Sequence, residues 1–358
     1  MRALIVLLLA VFMAFPAQAQ SWSDSDLGSR IRNGVATRDH IWLLGQTRTL
    51  VRLDRQTGDR AVVAENVQDL LPNGDSLWVL VQADDPASFS LRDVRVSGPE
   101  GVLADRRDAR YRLYLHPSET SEGEALGLFV WPGQARPAIL ARRAVVAPTT
   151  EGWKRWPVAA SLGPAARIAT PDGRSIYVGY NLGEWGGGLR RIDLPSGSIS
   201  FVAGDSDELC GGAINPACHP VVGLFPDRRS GDCIIVGTGL SHMGSSHGAV
   251  YRVCGPDILP VFSTPTPAEP DRWMLGPRPW PLHGLFETAD GWIGISRDRY
   301  FRNRDGRVEE RPMPEFADWA GVRISEERDG VLFVVSACCW GSADHPTLYS
   351  ALALPVGP

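Results

Sequence analysis

Lysine is almost missing: Lys154 is the single lysine among 36 basic side chains, so no other residue could carry lysine Schiff-base chemistry. Basic charge in excess is missing too. The 36 Lys and Arg face 41 Asp and Glu, the net charge is −5 and no basic face is evident, which argues against a nucleic-acid partner. No stretch shows helical periodicity over eleven or more residues, and strand–helix alternation is absent, which excludes α/β architectures. No Cys-x-x-Cys pair occurs, so the sequence carries no zinc signature, and it carries no nucleotide or haem signature either. A nucleophile elbow and the Ser-x-Asp-x-Gly-x-Thr-Trp box of sialidases are also missing. What is abundant is turn chemistry, with 38 Gly and 28 Pro in 358 residues of globular, 44% hydrophobic composition.

After residue 15 there is no apolar run long enough to span a bilayer. The run that exists, Ala3 to Phe15, follows Met1-Arg2 and ends at Pro16-Ala17-Gln18-Ala19, the pattern of a secretory signal peptide. The sequence therefore divides into a signal peptide, 1–19, and one folding unit, 20–358, with cleavage expected near Ala19 and a periplasmic or secreted product. Gln20 is not cysteine, so a lipid anchor is not expected. Six cysteines suit an oxidising compartment. Cys233 and Cys254 flank a hairpin and are expected to face each other, and Cys210 and Cys218 bracket a Gly- and Pro-containing loop. Cys338-Cys339 would then be a vicinal disulfide or two thiols.

A unit recurs along the chain: an Asp- and Gly-rich turn followed by a short β-branched or aromatic run. Copies are Asp39-His40-Ile41-Trp42-Leu43, Gly74-Asp75-Ser76-Leu77-Trp78-Val79, Asp172 to Val178, Gly231 to Val236, Asp290 to Gly294 and Asp329 to Val334. A weaker copy at Glu122 to Phe129 fills the largest gap. The markers 39, 75, 123, 172, 231, 290 and 329 recur at about 48 residues, close to the ~40–50 of a propeller blade. The expected fold is all-β, a seven-bladed β-propeller of four-stranded antiparallel blades, with six blades as the alternative. Little chain follows Leu354, so an N-terminal strand around Leu27–Arg32 is expected to complete the last blade and close the ring. One short helical turn is expected near Pro314–Ala320.

Asn73-Gly74-Asp75-Ser76-Leu77-Trp78 and Asp290-Gly291-Trp292-Ile293-Gly294 resemble the turn-then-Leu-Trp signature of two-component-regulator and YVTN-like propeller repeats. Gly188-Leu189-Arg190-Arg191-Ile192-Asp193 is similar to the Gly-Leu-x-Arg-apolar-Asp segment that follows it in those repeats. The likeness implies a secreted bacterial propeller that binds a ligand or protein, and it transfers no catalytic residue.

In a four-stranded meander, with strands A (inner) to D (outer), the B–C and D–A connections emerge on one face and the A–B and C–D turns on the other. Nearly every long connection here falls in the first set: Asn181–Gly188, Ser241–Gly248 and Cys338–His345 between B and C, and Asp205–Pro220 and Pro265–Trp280 between D and A. Binding groups concentrate on such loops, which makes Asn181, Glu184, Trp185, His242, His247, Trp340, Asp344 and His345 the candidate binding residues. Glu184-Trp185 would offer a carboxylate and a stacking surface, or else a packed turn; the histidines would be ligands, general bases or hydrogen-bonded loop residues. Cys338-Cys339-Trp340 resembles the vicinal disulfide of quinoprotein dehydrogenases, although the tryptophan-docking repeats of those chains are missing. His40 lies at an A–B turn, on the other face. The expected function is binding of a small molecule, glycan or protein through the decorated face. The alternative is a periplasmic hydrolase or lyase, lactonase-like, with a site in the central funnel, for which calcium held by Asn181, Glu184 and Asp344 is the cofactor to consider. Three or more converging carboxylates or histidines in the funnel would favour the enzyme, and an apolar or arginine-lined funnel would favour binding.

Overall fold

The computed structural model describes residues 20–23, 31–55, 57–83, 88–97, 102–114, 127–163, 165, 167–208, 210–242, 245–267, 278–312, 322–328, 331–338 and 348–355. β1 (Gln20–Ser23) is first in the chain and belongs to the last blade. Blade one is β2 (Ile31–Ala36), β3 (His40–Gly45), β4 (Leu50–Asp54) and β5 (Arg60–Ala64); blade two is β6 (Val67–Asn73), β7 (Ser76–Gln82), β8 (Ser88–Ser97) and β9 (Val102–Tyr114). Blade three is β10 (Gly127–Phe129), β11 (Ala138–Ala141), β12 (Ala144–Thr149) and β13 (Gly152–Pro157); blade four is β14 (Arg167–Ala169), β15 (Ser175–Gly179), β16 (Leu189–Asp193) and β17 (Ser198–Val202). Blade five is β18 (Val221–Pro226), β19 (Cys233–His242), β20 (Ser245–Cys254) and β21 (Asp257–Ser263); blade six is β22 (Gly284–Glu287), β23 (Gly291–Ile295), β24 (Arg299–Arg304) and β25 (Arg307–Pro312). Blade seven is β26 (Val322–Arg328), β27 (Val331–Cys338), β28 (Leu348–Pro355) and, outermost, β1.

All seven sheets are antiparallel meanders, and each inner strand touches the next, from β2 through β6, β10, β14, β18 and β22 to β26 and back to β2. The core lies between blades. Trp42, Leu44, Leu70 and Leu77 fill the layer between blades one and two, and Phe129, Val145, Ile176 and Ile192 that between three and four. A second strand is covered on both faces, which explains why β3 (HIWLLG), β7 (SLWVLVQ) and β15 (SIYVG) are apolar runs rather than alternating ones. Outer strands meet water, and β25 (RVEERP) is correspondingly polar. Asp305 and Gly306 both have positive φ, 50° and 88°, between the paired Arg304 and Arg307. That is the backbone of a type I′ hairpin, which Asp-Gly favours because glycine adopts positive φ without strain.

Five of the seven repeat markers mark A–B turns as expected, and the seventh, Asp329, falls between β26 and β27 outside the described residues. The third does not: Gly123 lies outside the described residues, and Gly127–Phe129 is an inner strand, so the A–B connection of blade three is 130–137. Ring closure also uses a different segment. Gln20 to Ser23 pair with Ala351 to Leu348, whereas Ile31 and Arg32 already belong to the inner strand of blade one. The expected helical turn at 314–320 lies outside the described residues; among those described, one 3₁₀ turn, Gly183–Trp185, is present. Both expected disulfides form, Cys210–Cys218 with Cα atoms 5.3 Å apart and Cys233–Cys254 with Cα atoms 4.3 Å apart at directly opposed positions of β19 and β20. Cys338 ends β27 and Cys339 falls outside the described residues.

Candidate binding site at the channel mouth

Every inner strand begins at the face of the B–C and D–A connections, so the first residues of these strands form the mouth of the central channel on that face. In β2, β6, β18 and β26 the register slips by one residue straight after the start, at Arg32, Gln68, Val222 and Arg323. These are bulges, which re-aim side chains at rims and binding sites. They put Asn33 and Asp69 at equivalent positions of neighbouring blades.

Those two residues tie blade to blade. Asn33 Nδ2 donates to Asp69 Oδ1 at 2.6 Å and to the Leu70 carbonyl at 2.9 Å. Asp69 then accepts the Leu128 N–H of blade three on Oδ2 at 2.6 Å and its neighbour Leu70 N–H on Oδ1 at 2.9 Å. Burial pushes the Asp69 carboxyl up from the ordinary carboxylate range, while these hydrogen bonds and the charge of Arg32 pull it down.

Arginines gather around this carboxylate. Arg32 from β2 and Arg167 from the first position of β14 both lie within its field, and Arg48, from the B–C turn of blade one, lies within the field of Arg32. Arg48 Nη1 and Gln68 Nε2 share Gln82 Oε1, each at 2.9 Å, which fixes Arg48 at the rim. Burial lowers the pKa of Arg32 and Arg167 and Asp69 raises it, but a guanidinium remains charged at neutral pH. Asp69 and Arg167 are enclosed by protein yet keep some contact with solvent, as groups lining a channel do.

Blades five and six add histidines to the same face. His247 on β20 bonds Thr238 Oγ1 through Nε2 at 2.7 Å, and its ring stacks on His219 with centroids 4.2 Å apart and planes 5° from parallel. His219 Nδ1 accepts the Asn215 N–H at 3.0 Å, so neutral His219 carries its proton on Nε2. Burial, and for His247 the neighbouring His219, hold both rings below the usual histidine pKa, His247 at about 4. His283, just before β22, is also pushed down to about 4, by burial and by Arg297. Among the described residues no three His, Cys, Asp or Glu side chains gather at one point.

No family profile matches the chain, and no curated protein matches it. Solved structures do. A chain of the mitotic checkpoint complex aligns with a TM-score of 0.54 at 10% identity, over 99% of this chain and 99% of that one. U3-55K aligns at 0.49 and 11% identity over 94% and 98% of the two chains. The extracellular domain of a hybrid two-component system from B. thetaiotaomicron aligns at 0.47 and 9% identity, covering 94% of this chain and 42% of that one. The chain is a β-propeller. At these identities the likeness shows the fold alone.

On this propeller the residues singled out from sequence are only partly brought together. Trp185 is 74% exposed, next to exposed Leu182, in the 3₁₀ turn after β15. Asn181 Oδ1 accepts the Gly183 N–H at 3.0 Å, which shapes the same turn. Glu184 sits in that turn, its side chain outside the described ones. The three glycines that follow are packing residues: Gly187 N–H bonds the Pro216 carbonyl, Gly188 N–H bonds that of His219, and a Cβ on Gly186 would meet the Ala217 backbone at 2.4 Å. The loop is thus clamped to the segment closed by Cys210–Cys218. Ser241–Gly248 is not a loop but the end of a long hairpin, with His242 closing β19 and His247 within β20. Trp340, Asp344 and His345 lie outside the described residues. His40 is on the opposite face, 3.8 Å from Asp54. Lys154 rides on the outer strand β13 with its ammonium over Trp156, 5.0 Å from the ring centroid.

Arg32, Arg48, Asp69, Arg167, His219 and His283 were not among the sequence candidates. Asp69 and the two inner-strand arginines are short-range in no motif. Their signal was positional: they occupy the first three residues of inner strands.

Proposed function

We propose that this chain is an extracytoplasmic β-propeller that binds a ligand or protein partner through the face carrying the B–C and D–A connections. The observation that carries the reading is the convergence of Arg32, Asp69 and Arg167 from separate inner strands at one enclosed, solvent-touched mouth on that face. Exposed Trp185 and Leu182 extend the same face outward as an apolar rim, where a tryptophan provides large contact area at low entropic cost. An arginine-bearing channel suits recognition, since arginine presents fixed, planar donors.

Two disulfides support an oxidising compartment. With the apolar segment at the N-terminus they support secretion after cleavage near Ala19. Kinship with the two-component-regulator type of repeat belongs to the same reading, on the strength of the Leu-Trp turns. Purification of the protein from the compartment to which its own leader directs it, followed by N-terminal sequencing and mass spectrometry under non-denaturing conditions, tests both parts. The expected result is a mature chain starting at Gln20 that carries a bound small molecule or partner, displaced in Trp185→Ala. An intact leader would contradict the localisation, and a bound species unaffected by Trp185→Ala and displaced by His40→Ala would contradict the choice of face.

A further inference from the structure

We infer that the connection 205–220 is an acid-operated latch, which the stacked rings of His219 and His247 hold shut against the turn carrying Trp185. Its consequence, release of a bound partner in acid, rests on the reading of this face as the binding face; the latch itself does not. The His219 ring lies on that of His247, with centroids 4.2 Å apart and planes 5° from parallel. His247 is fixed by Thr238 Oγ1, 2.7 Å from its Nε2. Asn215 N–H donates to His219 Nδ1 at 3.0 Å, and His219 N–H donates to the Asn215 carbonyl at 2.8 Å. Within the same segment, the carbonyls of Pro216 and His219 accept the N–H groups of Gly187 and Gly188. The latch thus reaches the Trp185 turn directly.

Acid acts on these contacts in two ways. An imidazolium is a donor at both nitrogens, so a protonated His219 has no acceptor left for the Asn215 N–H. Two imidazoliums stacked at this distance also repel each other. Thr238 and Asn215 are neutral, Asp205, Asp207 and Glu208 are exposed on the connection, and Arg278 is exposed after β21. Among the described residues, no charge but that of the partner ring acts on either histidine. Burial keeps both rings neutral at pH 7, where the latch is shut. The segment is also poised to move. Ile214, fully buried, is held at φ 54°, a left-handed conformation that strains a β-branched residue. Cys210–Cys218 closes the stretch before His219 into one unit, so it shifts as a body rather than unravelling.

Hydrogen–deuterium exchange of the full chain at pH 7 and pH 4, corrected for the intrinsic pH dependence of exchange, tests this without any ligand. Peptides covering 183–188 and 205–220 are expected to exchange about tenfold or more faster at pH 4, while 233–238 and 249–254 stay protected. His219→Asn is expected to stay shut at both pH values, since its Oδ1 replaces Nδ1 as acceptor and does not titrate. It keeps every carboxylate of the wild type, so it also controls for their protonation. Should His219→Asn be open at pH 7, His247→Phe carries the comparison: it keeps a ring to stack on, removes the second charge and is expected to need a lower pH to open. Three results would overturn the latch: equal protection at both pH values, loss of protection in 233–238 and 249–254 together with the connection, or acid opening unchanged in both variants. In each of those cases displacement of a bound species by Trp185→Ala at pH 7 would still be open to measurement, so the binding face is judged separately.

Discussion

The stacked pair His219 and His247 gives the molecule a defined acid sensitivity. His247 is held at about 4 in the fold, against about 6.5 in the unfolded chain, so between these values the unfolded state binds more protons. Stability is therefore full above about pH 6.5 and declines as pH falls toward 4; His283 acts in the same direction. Each contributes up to roughly 3 kcal/mol across that window. Thermal midpoints measured from pH 7 to pH 4 are expected to fall, and His247→Gln, which leaves no proton to gain, is expected to flatten the curve. Two neighbours in the glycine-rich turn should behave oppositely. Trp185→Ala is expected to leave the midpoint unchanged and to weaken binding by about 1–3 kcal/mol, since the ring is exposed. Gly186→Ala combines positive φ, 76°, with backbone contact at Ala217, and is expected to destabilise by about 2 kcal/mol or more. Chemical denaturation together with titration of the natively bound species separates the two cases.

Elements were legible where burial dictates composition. Second strands sit between two apolar layers, so Ile41-Trp42-Leu43 and Ile176-Tyr177-Val178 read as runs, and the adjoining Asp-Gly turns follow from hairpin geometry. The third blade was less so. Its A–B connection passes through Trp131-Pro132-Gly133 with no Asp-Gly pair beside an aromatic run, and the long β8 and β9 displace it along the chain. The bulges that shape the channel mouth leave no sequence mark, because an extra residue in a strand looks like any other. Cross-strand cysteines were legible, as a hairpin with a known midpoint fixes which residues face each other. Removing Cys233–Cys254 is expected to cost roughly 2–4 kcal/mol, somewhat more than removing Cys210–Cys218, because the loop it closes is longer, 21 residues against 8. Paired Cys→Ser variants compared by urea denaturation check the order. The shorter link has a second readout, since it holds the loop that carries His219 and clamps Gly187 and Gly188. Its loss is expected to reduce the pH dependence of stability, which loss of the longer one would not.

At the scale of the ring, closure depends on β1, four residues that pair with β28 as the outer strand of blade seven. Residues 27–32 were expected to do this, but Ile31 and Arg32 are needed inside, in the inner strand of blade one. Deleting residues 20–23 is expected to lower the thermal midpoint and to expose the β28 edge to pairing with another copy, visible as dimers by light scattering. The ring also decides what the molecule can recognise, because only closure brings blade one opposite blade four and sets Arg32 and Arg167 within the field of the same carboxylate. The most direct measurement is a crystal structure of the chain with its natively bound species, which reports where on the ring a ligand rests. The account places that species at the channel mouth on the face of the B–C and D–A connections, beside Asn33 and Asp69. A species bound only on the opposite face, near residues such as Arg174 and Arg228, with nothing at the mouth, would contradict it.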